Sequence, residues 1–285
     1  MDDGLALVYL LAQPDIELRA VTTCFGNAGL PAVLRATRRP LALAGVPDLP
    51  LLQGAARQGL APTAAARFLV QATASEPGRL TILATGPLSN LAAAAELDPA
   101  FPDRCAGIIC LGGDLVPHGL APSRLGWRRL RELNFAADAK AARRVLAFRG
   151  CPVTVVPASA CTALRLRWDD LPLLPPAVRG AVRNWLLFCG LGRGLCDMVA
   201  WDLLPALLLT YANLGTFEPA QVLLGEGGLI AADWLEPHEA PHRLLRRLRN
   251  PDEARALMLK GLSAGMSPGR APATPRPPAS GVGRA

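Results

Sequence analysis

Along the first 156 residues, short apolar runs alternate with helix-like segments, and this alternation limits the fold more than any other feature. Ile16–Cys24, Leu80–Ala84, Ala106–Leu111 and Val153–Val156 read as strands, and 46–52 as a short extended piece. Helical patterns fill the intervals: Leu5–Leu11 behind Asp2 and Asp3, residues 30–45 and 63–75, Leu88–Leu97, and Ala136–Phe148. Strands alternating with helices predict an α/β fold with a mostly parallel central sheet flanked by helices. Ligands of such sheets gather at the carboxyl ends of the strands. Here those ends carry Thr23 to Asn27, Thr85 to Asn90, and Gly112-Gly113-Asp114.

The second half is less regular. Residues 173–192 read as helix, and Asp202–Tyr211 as a strongly apolar helix with Asp202 at its start. Residues 217–234 and 241–249 read as strand or loop, and 251–262 as a last helix. From Ser263 the chain holds five prolines and four glycines in 23 residues, too little apolar surface to order itself. The expected organisation is one domain over 1–262 and a disordered tail over 263–285.

Composition excludes several classes. At 51% hydrophobic and 19% charged, the chain has ample apolar surface for a core. Only Lys140 and Lys260 are lysines among 30 basic residues, the pattern that GC-rich coding produces, so the basic balance of +7 says little about partners. The densest basic run, Arg243, Arg246, Arg247 and Arg249, meets Asp252 and Glu253 at once and reads as a solvated face rather than a nucleic-acid surface. Seven cysteines without C-x-x-C spacing and three histidines argue against zinc and for an intracellular, reduced, cytoplasmic chain. Met1-Asp2-Asp3 is not the basic start of a signal peptide, and no apolar run reaches membrane-spanning length.

Four oxygen-bearing positions could carry chemistry. Asp2 and Asp3 open one helix, Asp202 opens another, and Thr85 ends a strand before Gly86-Pro87. Hard divalent cations take such carboxylates and backbone carbonyls. Singly, each has a plainer reading: an aspartate at a helix start is usually an N-cap, and Thr-Gly-Pro is usually a turn.

Their order among other segments adds a second argument. DDGLALVYLLAQPDIELRAVTTCFGNAGL (2–30), ILATGPLSNLAAAAELDPAF (82–101), IICLGGD (108–114) and ELNFAADAKAARRVL (132–146) resemble the nucleoside hydrolases in sequence and in order. The resemblance runs from residue 2 to about 262. It implies a Rossmann-like α/β fold that hydrolyses the N-glycosidic bond of a small-molecule ribonucleoside with Ca²⁺. By position, Asp3 and Asp202 would be carboxylate ligands of Ca²⁺ and Thr85 a carbonyl ligand. Asp2, Glu132 and Asn134 would bind ribose hydroxyls, with Asn27 nearby; Leu111 stands where the family commonly has methionine beside the substrate. Trp201 resembles the purine-preferring branch, in which an aromatic ring stacks on the leaving base; its other reading is a packing residue. Cys196-Asp197 is a rival alignment for Trp201-Asp202. Related proteins are commonly dimers or tetramers, so a homo-oligomer fits the resemblance.

Departures from the family pattern set the alternatives. Asp2 and Asp3 match the last two acids of D-x-D-P-G-x-D-D, so the first strand and the general-base aspartate are lacking, and no catalytic residue is assigned. The stretch from Asn27 to Thr85 is short and lacks the glycine-rich loop expected after Gly54-Ala55-Ala56-Arg57. Gly119-Leu120 replaces Gly-Asn, and Ser159 stands where an acid or amide is common. One expectation is a purine-leaning Ca²⁺-dependent hydrolase whose start lies upstream of Met1. The other is a catalytically inactive relative that keeps the fold for binding. A phosphatase of the haloacid-dehalogenase type would need a well-placed lysine, which neither Lys140 nor Lys260 provides, and no G-x-S-x-G elbow is present.

Overall fold

In the computed structural model, which describes residues 2–115, 120–121, 128–129, 132–193 and 197–264, the strand–helix alternation forms a mostly parallel sheet covered on both faces. Strands and helices are numbered in chain order. β1 (Val21–Thr23) pairs in parallel with β2 (Leu51–Gln53). The main sheet contains β3 (Leu80–Ala84), β4 (Cys105–Leu111), β7 (Val153–Val156), β10 (Gly215–Leu224), β11 (Ile230–Trp234) and β12 (His242–Leu248). Its order is β11-β10-β12-β7-β4-β3. β12, β7, β4 and β3 run parallel, and β10 joins β12 and β11 antiparallel at one edge. Two short ribbons pair β5 (Leu120–Ala121) with β6 (Arg128–Arg129), and β8 (Arg165–Arg167) with β9 (Asp197–Val199).

The helices are α1 (Asp2–Ala12), α2 (Leu30–Leu43), α3 (Ala64–Ser75), α4 (Ser89–Leu97), α5 (Ala139–Leu146), α6 (Ala158–Cys161), α7 (Pro176–Arg193), α8 (Leu203–Thr210) and α9 (Pro251–Ala264). Two apolar clusters cover the sheet. One gathers Tyr9 of α1, Leu203, Leu204 and Leu207 of α8, and Met258 of α9. The other gathers the alanines of α4 with Phe101, Phe135 and Val145. α8, LLPALLLT, is apolar all round because it is buried all round. Its four buried leucines contribute about 6–12 kcal/mol of gross hydrophobic stabilisation, before the entropy of ordering the chain. That burial anchors Asp202 immediately ahead of the helix.

Element bounds move for physical reasons. The strand expected over 16–24 pairs only at Val21–Thr23, because β2 offers three partners; the extended piece expected over 46–52 pairs at 51–53. The helix expected over 136–148 starts at Ala139, where the Asp138 carboxylate accepts the Ala141 N–H at 3.1 Å and caps the first turn. The last helix runs to Ala264, two residues into the expected tail. Residues 265–285 and Gly119 lie outside the described residues.

The β1–β2 pair stands apart from the main sheet, and side chains tie the two together. Asn90, buried at the start of α4, donates from Nδ2 to the Thr23 carbonyl at 3.1 Å and accepts the Ala55 N–H on Oδ1 at 2.9 Å. Gly54 makes that approach feasible, since a Cβ there would fall 2.1 Å from the Thr23 carbonyl oxygen and 2.2 Å from Asn90 Oδ1. Arg19 bonds Glu76 at 2.7 Å across the same junction.

Candidate functional site

Asp2 and Asp3 form the first turn of α1, and Asp202 stands at the head of α8. Carboxylate oxygens of these three residues lie within 4.8 Å of one another. Asp202 occupies the N-cap position of α8, yet its side chain accepts no hydrogen bond from that helix. Capping therefore does not explain it. It is directed to the other two acids and is buried, whereas Asp3 reaches solvent.

The electrostatics follow from this packing. Burial, then the charges of Asp2 and Asp3, push the Asp202 carboxyl well above the ordinary carboxylate range. Desolvation of its carboxyl by the surrounding protein, then the charge of Asp2, also raise Asp3. Three crowded carboxylates at the mouths of two helices form a hard-oxygen donor set that a divalent cation would relieve of its mutual repulsion. The donor chemistry fits such an ion.

A second group lies at the ends of β3 and β4. Asn134 Nδ2 donates to the Thr85 carbonyl at 3.0 Å and to the Leu111 carbonyl at 2.9 Å, clamping the two strand ends. Glu132 is buried, and its carboxylate accepts the backbone N–H groups of Asn134 (2.7 Å), Phe135 (3.0 Å) and Ala136 (2.7 Å). A carboxylate has about four lone-pair directions, so three are spent on this turn and one remains. The Leu111 side chain packs in the core, and only its strand end reaches the clamp.

Two thiols connect these groups. Cys24, just after β1, donates to the Pro87 carbonyl at 3.6 Å; burial first, then the charge of Asp3, push it up to about 12. Cys161 donates to the Trp201 carbonyl at 3.6 Å and is raised by burial, then by Asp202, Asp2 and Asp114. Cys24 thus bonds the Thr85-Gly86-Pro87 turn while feeling the charge of Asp3, and Cys161 feels Asp202, Asp2 and Asp114 together. Asp114 is a buried carboxylate not selected in the sequence. Its signal was its place directly after Gly112-Gly113 at a strand end.

Trp201 is half-buried and packs against the core beside Asp202. Asn27 is exposed on the bend after β1. Asp197, the rival to Asp202, is paired with Arg165 at 2.6 Å between β9 and β8, which leaves Asp202 as the acid of the cluster. Ser159 lies in α6. Ser89 donates to Asp138 at 2.7 Å, and Asp138 also accepts the Gly59 N–H at 3.2 Å, so the loop after β2 is held against α4 and α5.

Residues 1–191 match the family model described as inosine-uridine preferring nucleoside hydrolase. The chain belongs to the nucleoside hydrolase family. Among curated relatives, "Uridine nucleosidase 1" of Arabidopsis thaliana is 30% identical over 200 residues, 60% of this chain and 57% of that protein. This nucleoside hydrolase chain therefore aligns with less than two thirds of that relative's length. In fold it is similar to a plant nucleoside hydrolase at TM-score 0.80 and 22% identity, covering 92% of this chain and 96% of the other. It is also similar to a purine-preferring ribonucleoside hydrolase from Gardnerella vaginalis at TM-score 0.79 and 19% identity, covering 93% and 96%. Among the described residues no helix is long and apolar enough to cross a membrane.

Proposed function

We propose that this chain hydrolyses the N-glycosidic bond of ribonucleosides and depends on Ca²⁺. The observation that carries the reading is the meeting of Asp2, Asp3 and Asp202, with Asp202 at a helix start it does not cap. Asp3, Asp202 and the Thr85 carbonyl would hold the cation. When bound, the cation supplies positive charge that acidifies water and orients the ribose hydroxyls. Cleavage builds oxocarbenium character on the ribose, which the grouped carboxylates of Asp2, Asp3 and Asp202 would stabilise. Asp2 would hold a ribose hydroxyl. Asn134 Oδ1 and the last lone pair of Glu132 would face the sugar, and Asn27 would close over it from the bend. The water oxygen bonds to the anomeric carbon as the C–N bond breaks; one water proton stays on the new ribose hydroxyl and the other ends on the nitrogen of the departing base.

Trp201 supports a lean toward purines, since an aromatic ring beside the cluster can stack on the leaving base. Relatives by sequence and by fold carry both uridine and purine names. A second reading is a binding protein without turnover. It is favoured because the acid cluster found among the described residues holds three carboxylates, each with a ligand role, and leaves no separate proton acceptor.

Ribose release from inosine and uridine, with Ca²⁺ and with chelator, tests the reading. Hydrolysis is expected only with Ca²⁺, faster on inosine, and lost in Asp202→Asn. Ca²⁺-dependent thermal stabilisation without release would establish the binding protein. Release that survives the chelator and Asp202→Asn would overturn the metal reading, and equal loss on both nucleosides in Trp201→Ala would overturn the purine stacking role.

A further inference from the structure

Cys105 and Cys151 lie at the opposite end of the sheet from the acidic cluster, at the starts of β4 and β7. These strands pair in parallel, with Ile108 opposite Val153. Ideal alternation would put Cys105 and Ile108 on opposite faces. The register of β4 against β3, however, slips by one residue, Leu80 opposing Cys105 and Thr81 opposing Gly107. This bulge turns Ala106 outward and brings Cys105 onto the buried face of Ile108. Cys151 shares that face with Val153, and both cysteines belong to one apolar cluster.

Gly150 brings the second thiol in. A Cβ at residue 150 would fall 1.6 Å from Asp103 Oδ1 and 2.8 Å from the Asp103 Cα, so only glycine lets the lead-in of β7 pass against the turn before β4. The two thiols, both free, lie on the same buried face at the starts of the paired strands. We propose that Cys105 and Cys151 form an oxidisable dithiol, which a small peroxide converts to an intrachain disulfide joining the starts of β4 and β7.

Cys105 keeps its proton on the Phe101 carbonyl, to which it donates at 3.4 Å, whereas the Cys151 thiol is lowered by the Cys105 thiol beside it. Cys151 as thiolate attacks a peroxide oxygen; the O–O bond breaks, giving a sulfenic acid and hydroxide. Cys105 then gives up its proton, its sulfur attacks the Cys151 sulfur, the S–O bond breaks and water leaves. Two thiols lose two electrons and the peroxide gains them. Each cysteine is only 5% exposed, so the oxidant must be small. Burial pushes Cys24 and Cys110 up to about 12, and Cys161 is raised as well, which disfavours their thiolates.

The test is hydrogen peroxide on the folded full chain, followed by intact mass and non-reducing peptide mapping. A loss of two hydrogens, a linked peptide containing residues 105 and 151, and reversal by dithiothreitol are expected. Cys105→Ser should trap the sulfenic acid at Cys151, seen by dimedone labelling, whereas Cys151→Ser should leave Cys105 unlabelled. Oxygen addition at Cys151 without a link, a link between other cysteines, or no reaction in the folded chain would overturn the proposal. The wild-type map decides even if a serine variant fails to fold.

Discussion

Asp202→Asn should separate the site from ordinary helix capping, because it is expected to stabilise the chelated protein while abolishing its response to cation. Asp202 is buried beside Asp2 and Asp3, and its folded-state carboxyl is held well above the usual range by burial and those charges. A raised folded-state value has a definite sign. Below the ordinary unfolded value near 3.9 both states are protonated and the contribution is fully present. As pH rises the unfolded chain releases its proton first, and stability is lost until the pH passes the folded value. Replacing a buried, poorly compensated charge with a neutral isostere gains on the order of 1–2 kcal/mol at pH 8. Cation at a hundredfold excess over its Kd should stabilise the wild type by about 2.7 kcal/mol, or about 5–10 °C in Tm for a domain of this size. Thermal melts at pH 5 and pH 8, with Ca²⁺ and with chelator, measure all of this. The wild type should lose stability in chelator between pH 5 and 8 relative to Asp202→Asn, and Ca²⁺ should restore it only in the wild type. If Asp202→Asn melts lower than wild type in chelator at pH 8, or still responds to Ca²⁺, the reasoning fails.

Other residues give independent expectations. Asn90→Ala strands the Thr23 carbonyl and the Ala55 N–H, and should cost about 2–4 kcal/mol in urea unfolding; a loss under 0.5 kcal/mol would show that β1–β2 is held by other contacts. His242 accepts the Val222 N–H on Nδ1 at 2.9 Å and donates from Nε2 to the Leu146 carbonyl at 2.9 Å, so it is buried neutral, and burial lowers its pKa. Its contribution is full above the unfolded value near 6.5 and lost as pH falls through the folded value; urea midpoints of His242→Asn should therefore show a flatter slope below pH 6.5 than wild type. Arg255 of α9 pairs with Asp170, which is 1% exposed and also accepts the Arg167 N–H at 2.8 Å. Arg255→Met should cost about 3 kcal/mol by leaving a buried charge unpaired, and Asp170→Asn in that background should recover part of it.

The sheet was legible because its parallel strands read as nearly continuous apolar runs, the inner β4 and β7 as well as β3 at the edge. β1 was overestimated because strand length is set by the partner, and the length of β2 cannot be read from β1. The antiparallel edge was only half legible. β10 contains Pro219, and its inward histidine partner, His242, arrives from a strand 20 residues on. Asp2, Asp3 and Asp202 were legible as acids at helix starts. Their convergence was not, since the first two and the third are separated by 199 or more positions in the chain and meet only when α8 is buried beside α1.

Glu132 and Asn134 show why a motif can name residues without giving their whole task. In the sequence both are polar groups just ahead of the helix expected from Ala136, equally suited to a ribose hydroxyl or to the protein's own backbone. In the fold, Asn134 spends its amide N–H groups on the Thr85 and Leu111 carbonyls, and Glu132 spends three acceptor directions on the turn that carries Asn134. Each retains only acceptor capacity toward the site: the Asn134 Oδ1 and one lone pair of Glu132. Acceptors suit hydroxyl donors, so positioning the backbone and holding the ribose are compatible in the same two side chains. The amide must nevertheless share the Thr85 carbonyl with any cation bound there. A carbonyl oxygen has two lone pairs, and the second can take the cation while the first keeps the Asn134 N–H. Asn134→Asp therefore weakens both tasks at once, replacing a donor with a second carboxylate beside Glu132. It should lower stability in chelator and raise KM in Ca²⁺, whereas a residue serving the ribose alone would change only KM.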